Sequence, residues 1–185
     1  MIEPSDNDLV KVCLKGKIAA FETLIERYQK PIFNLAFRML NDYEDAQDVA
    51  QTVFVKAFEK LATFNFRFKF FSWIYRIAVN ESLNVINQRQ QIEQLDHNLN
   101  LISEEKSPAE HYQNRELNRK IQMALMNLKI DYRAVIVLRY FEEFSYNEMS
   151  YILEIPEKTV KSRLFSARQQ LRKILLLKGY IENDG

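Results

Sequence analysis

The chain has 185 residues, 47% of them hydrophobic and 28% charged, with a formal charge of +1. Apolar content at that level fills packed cores and excludes wholesale disorder, while near-neutrality restricts any nucleic-acid binding to local patches. Three glycines and four prolines are few for a protein built of hairpins, so the expected fold is all-α, in one large domain or two small ones.

Ser5, Asp6, Asn7 and Asp8 offer capping side chains to a first helix that carries Leu9, Val10 and Val12, and Gly16 ends it. Cys13, the single cysteine, has no disulfide partner, which fits a reducing cytoplasm, and reads as a small buried hydrophobe. Residues 19–40 place Phe21, Leu24, Ile25, Tyr28, Ile32, Leu35, Ala36 and Met39 on one stripe, with Pro31 expected to kink or split the helix. Acids at 42–45 suit the N-terminus of the next helix, residues 45–61, whose core face is Ala46, Val49, Ala50, Val53, Ala57 and Leu61. Asp45, Asp48, Gln51 and Thr52 run along another side, as a solvated face or a docking surface.

An aromatic block follows at 64–80, in which Phe64, Phe66, Phe68, Phe70, Phe71, Trp73 and Tyr75 alternate with Arg67, Lys69 and Arg76. A loop to Phe71 and then a helix from Ser72, as cap, to about Gln88 is the expected structure. So many aromatics in one short loop cannot all be buried, and exposed rings beside cations suit stacking on unpaired bases while the cations hold phosphates. Single-stranded nucleic acid is the partner that this chemistry fits.

Residues 92–110 lose periodicity and gather Glu93, Asp96, Glu104, Glu105 and Glu110, which reads as a flexible acidic linker between domains. His97 and His111 fall in or near it as solvated side chains. Helical periodicity returns with Leu117, Ile121, Leu125 and Leu128, then Val135, Ile136 and Leu138. Ser145 three residues ahead of Glu148 is a capping-box start to a short helix, and Pro156 marks the start of a longer one. The second helix has Val160, Leu164, Ala167 and Leu171 on one side and Lys158, Lys161, Arg163, Arg168, Arg172 and Lys173 elsewhere, with no acid from 158 to 173. Short helix, tight turn and basic helix form a helix-turn-helix pattern, with Thr159, Lys161, Ser162 and Phe165 on the turns that enter a major groove. The alternative is a solvated amphipathic helix.

No Gly-rich phosphate loop, CxxC pair or HExxH occurs, and no catalytic residues, metal ligands or cofactors are expected. No apolar run approaches a membrane span and the N-terminus lacks a signal-peptide pattern, so membrane insertion is not expected and the cytoplasm is the expected location.

Four collinear blocks, LVKVCLKGKIAAFETLIERY, DAQDVAQTVFVKAF, FFSWIYRIAVN and YRAVIVLRYFEEFSYNEMSYILEIPEKTVKSRLFSAR, resemble the successive signatures of a bacterial extracytoplasmic-function sigma factor of the minimal, group 4 type. The resemblance implies two small helical domains joined by a flexible linker: region 2 at 5–91, the linker at 92–112 and region 4, with the helix-turn-helix, at 113–178. It implies a promoter-recognition subunit whose partners are core RNA polymerase (the β′ clamp and β flap) and promoter DNA, with an anti-sigma factor as a further partner. Asp45, Asp48, Gln51 and Phe54 match the helix docked on the β′ clamp. Asn65, Phe66, Arg67, Phe68, Lys69 and Phe70 match the loop that captures a flipped −10 base, and Arg76 and Asn80 match positions facing the melted strand. Trp73 matches a family tryptophan that is either core or melting wedge. Lys161, Ser162, Arg163 and Phe165 match −35 readers, with Thr159 on the same turns and Lys158 adding a cation close to the DNA; Arg133 and Arg139 are candidates for phosphate contact, Arg139 equally for packing.

Energetics and reach are compatible with this division. Capture of a base repays unstacking with about 1–3 kcal/mol of stacking on aromatics, so no external energy source is needed. Elements about 25 base pairs apart lie roughly 85 Å apart, within reach of two domains of radius ~13 Å and a linker of at most ~70 Å. Glu154 stands where the family usually has a turn glycine, and Lys158 replaces another. Two competing readings are a dimeric helix-turn-helix regulator, which leaves the aromatic loop unexplained, and a helical interaction protein without steep salt dependence.

Overall fold

The computed structural model describes residues 3–95 and 112–182, and every regular element among them is helical. Ser5 caps α1 (Asp6–Leu14), its hydroxyl accepting the Asp8 N–H at 3.2 Å, and Gly16 at φ 94° carries the chain out of the helix. Cys13 is buried, which pushes its thiol above the usual range.

Pro31 does not split α2 (Ala19–Leu40), which runs on past it. A proline inside a helix costs about 3 kcal/mol. Beyond Pro31, however, Ile32, Leu35 and Met39 are fully buried, and each such side chain contributes roughly 1.5–3 kcal/mol. Packing outweighs the missing hydrogen bond. Asn41 closes α2 in the left-handed region at φ 54°, a conformation asparagine tolerates.

Asp42, rather than Asp45, starts the next helix: its carboxylate accepts the Asp45 N–H at 2.9 Å and α3 is Tyr43–Glu59. Leu61 falls in a short 3-10 turn, Leu61–Thr63. The fourth helix, α4 (Phe70–Leu95), begins two residues before the expected Ser72 and extends beyond Gln88. Ser72 is not a cap but a buried helical residue. The Lys69 carbonyl accepts the first helical N–H, from Trp73 at 3.2 Å. Helical geometry at Phe70 buries that ring almost entirely, a larger gain than one cap hydrogen bond.

The C-terminal unit comprises α5 (Tyr112–Met126), α6 (Ile130–Tyr140), α7 (Tyr146–Leu153) and α8 (Glu157–Leu177). The capping box forms as expected, Ser145 and Glu148 bonding reciprocally. Pro156 is the residue before α8 rather than in its first turn, at φ −56° and ψ 144°. Glu154, in the tight turn between α7 and α8, has φ 55°. Residues 96–111, which hold most of the acidic linker and both histidines, lie outside the described residues.

The two units share one continuous apolar core. Helix α7 packs on α4, and α5 and α6 pack on α2. Phe144 is buried between Phe71 and Tyr75, at ring distances of 5.1 and 4.8 Å. Arg133 bolts the units together. Its guanidinium donates to the carbonyls of Leu125 at 3.1 Å and Met126 at 3.1 Å, and to that of Met39 at the end of α2. Gln122 adds donors to the Phe37 and Arg38 carbonyls at 3.2 and 3.3 Å. A cation at two helix C-termini meets the negative ends of both dipoles.

Candidate nucleic-acid interface

Three surfaces carry the residues singled out in the sequence. On α3, Asp48 and Gln51 are exposed, Asp45 is half-buried and Phe54 is buried. They do not share one patch. Gln51 and Phe54 line a groove between α2 and α3 with Ile25, Phe33 and Tyr43. Asp45 and Asp48 line the cleft between α3 and α4, where Arg89 pairs with Asp45 and lies 3.4 Å from Asp42. Val55, 58% exposed at the α2–α3 groove, belongs to this surface and went unnoticed in the sequence; an apolar residue outside the core stripe was the available signal.

The aromatic loop is shaped by Asn65, whose side-chain oxygen accepts the Arg67 N–H at 3.0 Å while its carbonyl accepts the Phe68 N–H at 3.0 Å. That turn divides the rings. Phe64 and Phe70 are buried, with Phe64 touching Phe66, Phe70 and Trp73 at 5.0, 5.8 and 5.4 Å. Phe66 and Phe68 are each 41% exposed, and Arg67 and Lys69 are exposed beside them. Trp73 is half-buried on Phe64 and Phe70. Arg76 and Asn80, one turn apart on α4, continue the surface. Two aromatic rings, three cations and an amide are thus arranged along one loop and helix, a set that can hold unpaired bases and their phosphates, although Phe68, Lys69 and Arg76 contact α7 here.

On α8, Lys158, Lys161, Ser162 and Phe165 are exposed and Thr159 and Arg163 half-buried, while Val160, Leu164 and Ala167 face the core. Phe165, 65% exposed, is a large ring with no place in that core. Lys161 pairs with Glu157 at 2.6 Å, and that hydrogen bond, with the charge behind it, holds the ammonium above its ordinary range. Arg163 reaches Asp131 at 3.3 Å. Arg139 donates to the Phe144 carbonyl at 2.8 Å and lies over the Tyr146 ring, and Arg133 is buried on the carbonyls described above. Both arginines perform packing work in this arrangement.

Among the described residues no group of His, Cys, Asp and Glu side chains could hold a metal ion, and no helix is long and apolar enough to cross a membrane.

Residues 24–92 match the Sigma-70 region 2 family and residues 118–171 match Sigma-70, region 4. The chain is 33% identical over 176 residues to the ECF RNA polymerase sigma factor SigW of Bacillus subtilis (strain 168), covering 90% of this chain and 94% of the relative. It is 31% identical over 188 residues to the RNA polymerase sigma-H factor of Pseudomonas aeruginosa, covering 95% and 96%. Among solved structures, CnrH in complex with the cytosolic domain of CnrY superposes with a TM-score of 0.72 at 25% identity, over 93% of this chain and 97% of that one. The sigma factor RpoE of Bartonella quintana, in its complex with NepR, shares the fold with a TM-score of 0.73 at 24% identity, over 84% and 96%. With both family regions in order and relatives aligned along nearly their whole length, the chain belongs to the extracytoplasmic-function sigma factors, non-catalytic proteins through which RNA polymerase initiates transcription at specific promoters.

Proposed function

We propose that this protein is a group 4, cytoplasmic member of the family that reads a −35 duplex with α8 and captures a melted −10 strand with the aromatic loop and α4. The observation that carries the reading is the separation of chemistries. One unit exposes Phe66 and Phe68 among Arg67, Lys69 and Arg76, which suits unpaired bases; the other exposes Lys158, Lys161, Ser162 and Phe165 on a helix, which suits a major groove. In this proposal residues 5–91 bind core polymerase and the −10 strand, 92–112 form the linker and 113–178 bind the −35 element and the β flap. Gln51, Phe54 and Val55 supply an apolar groove for the β′ clamp, and Asp45 and Asp48 supply charge from the neighbouring cleft. Thr159 and Arg163 flank the base-reading side chains, and Asn65 sets the loop that Phe66 and Phe68 ride on. Phe70 and Trp73 support the loop from beneath. An anti-sigma factor completes the partners: the apolar groove formed by Ile121, Tyr140, Phe141, Leu171 and Leu175 is open to a docking helix.

The test is salt-dependent binding to a pre-melted −10/−35 promoter library, with and without core polymerase. Core-dependent selection of one −35 motif, relaxed by Lys161→Ala, is the expected result. Tight duplex selection without core polymerase would instead make the protein a free-standing regulator.

A further inference from the structure

Three of the residues proposed to hold the melted strand, Phe68, Lys69 and Arg76, are already engaged, by the protein itself. Glu148, Tyr151 and Glu154 recur at steps of three along α7 and its C-terminal cap, so they form a stripe beside that of Met149 and Ile152, which are buried in the core. That face lies on the aromatic loop and α4. The Tyr151 ring stacks on Phe68, with centroids 4.1 Å apart and planes 21° from parallel. The Glu148 carboxylate takes Lys69 at 3.0 Å, and Glu154 takes Arg76. The Arg76 guanidinium also lies 5.3 Å from the Tyr151 ring.

We infer that α7 is an internal stand-in for the melted strand, closing the −10 surface of the free protein by offering an aromatic face for a base and two carboxylates for phosphates. The inference rests on the strand-capture reading above. A nucleotide presents a flat π-face and an anion, and α7 presents both to the same ring and the same two cations. Glu154 adds a second line of support. Its φ of 55° is a conformation in which glycine is favoured, and its side chain reaches across to Arg76 from that strained position.

Closure is selective. Asp48, Gln51 and Val55 remain exposed on α3, and Lys158, Lys161, Ser162 and Phe165 remain exposed on α8. Polymerase and a −35 duplex can therefore dock while the −10 surface is covered. Simultaneous contact with both promoter elements is another matter: they lie roughly 85 Å apart, whereas here the helix-turn-helix sits within hydrogen-bond distance of the strand-capture loop. Productive engagement requires the units to part.

The experiment compares the full chain with Tyr151→Ala/Glu154→Gly and with Glu154→Gly alone, which relieves the positive φ and guards against a folding defect. Small-angle scattering reads the separation of the units; anisotropy reads binding of a fluorescein-labelled, randomised single-stranded DNA and, separately, of −35 duplex. A closed fraction of about 99 in 100 predicts that full opening tightens single-strand binding about a hundredfold. The double variant is expected to gain strand affinity toward that limit by uncovering Phe68 and Arg76, while Arg133 and Phe144 still join the units, with Glu154→Gly between it and wild type and duplex binding unchanged. A double variant as compact as wild type and equal to it in strand affinity would overturn the closure; one that expands but binds the strand no better would overturn the mimicry. Promoter selection by the reconstituted holoenzyme is scored in parallel, and its absence for wild type and variants alike would refute the underlying sigma reading instead.

Discussion

Replacing Arg133 tests the phosphate contact expected from the sequence against the packing role that the fold gives it. The residue is 8% exposed, and burial lowers its pKa from the ordinary arginine range. Its donors go to carbonyls at the ends of α5 and α2, with a further contact to Leu128 at 3.5 Å. Hydrogen bonds to a charged group are worth about 1.5–3 kcal/mol each, and truncating one partner of a buried charged network costs about 3–5 kcal/mol in all. Arg133→Ala is therefore expected to lose about 3–5 kcal/mol, or roughly 6–20 °C in Tm at about 2–4 °C per kcal/mol. Arg133→Lys should recover only part of this: it restores a charge near the helix dipoles but not the planar fork. Urea titration by circular dichroism measures the loss. The salt slope of promoter binding by the holoenzyme measures the alternative, since a lost phosphate contact lowers it by about 0.9. A stable Arg133→Ala protein with a reduced salt slope would refute the packing role.

The remaining expectations concern single residues. Lys161→Ala should lower the salt slope of −35 binding by about 0.9 without changing the fold, as read by anisotropy across a salt series. Ser145→Ala removes the cap of α7 and should cost about 1 kcal/mol in urea titration. In an Arg76→Ala background, where its ion pair is gone, Glu154→Gly should stabilise the chain by about 1 kcal/mol through relief of the left-handed backbone. Glu142 contributes a pH dependence of its own. Burial raises its carboxyl above the ordinary range, against the lowering effects of the Tyr75 hydroxyl bonded at 2.6 Å and of Arg38. A raised value means that the folded form binds the proton more tightly than the unfolded. This contribution is thus fully present below the ordinary glutamate range and is lost as pH rises through the raised value; Glu142→Gln should flatten that part of the stability–pH curve.

Local signals in the sequence were reliable where the deciding interactions were local. The Ser145–Glu148 capping box, the stop at Gly16 and the apolar stripe of α8 each depend on neighbours within a turn or two. The start of α4 was misplaced because Ser72 is a good cap in isolation, whereas burial of Phe70 against Phe64 and Tyr28 is decided by the tertiary core. The same reason keeps α2 unsplit at Pro31. Arg133 carried a usable signal: it heads a run, Ala134–Val135–Ile136–Val137–Leu138, in which every residue is buried, so its helix has little solvated face to offer. The partner of Glu148, Tyr151 and Glu154 was not legible at all. Their spacing of three is visible, but the ring and cations that they meet lie some eighty residues earlier, at 68–76.

The strength of that contact bears on how such a protein can work. Lys69 and Glu148 are 70% and 21% exposed and Arg76 and Glu154 are 34% and 53% exposed, so solvent screens both pairs and each contributes about 0–1 kcal/mol. The stack of Phe68 on Tyr151 adds about 0.5–1.5 kcal/mol. The contacts to the strand-capture surface thus sum to a few kcal/mol, comparable to the about 1–3 kcal/mol that a stacked base returns. A melted strand can compete for Phe68, Lys69 and Arg76 on nearly equal terms. It has less purchase on Arg133 and Phe144, which lie deeper in the joint between the units. Turning a population from 1:99 to 99:1 requires about 5.5 kcal/mol of differential binding, more than one base supplies. The balance must come from a surface that binds the parted units better than the closed ones, and polymerase, contacting α3 and the C-terminal unit at separate places, has the geometry to do so. Opening would then be coupled to holoenzyme assembly, and the strand-capture loop would be uncovered where a promoter can be melted.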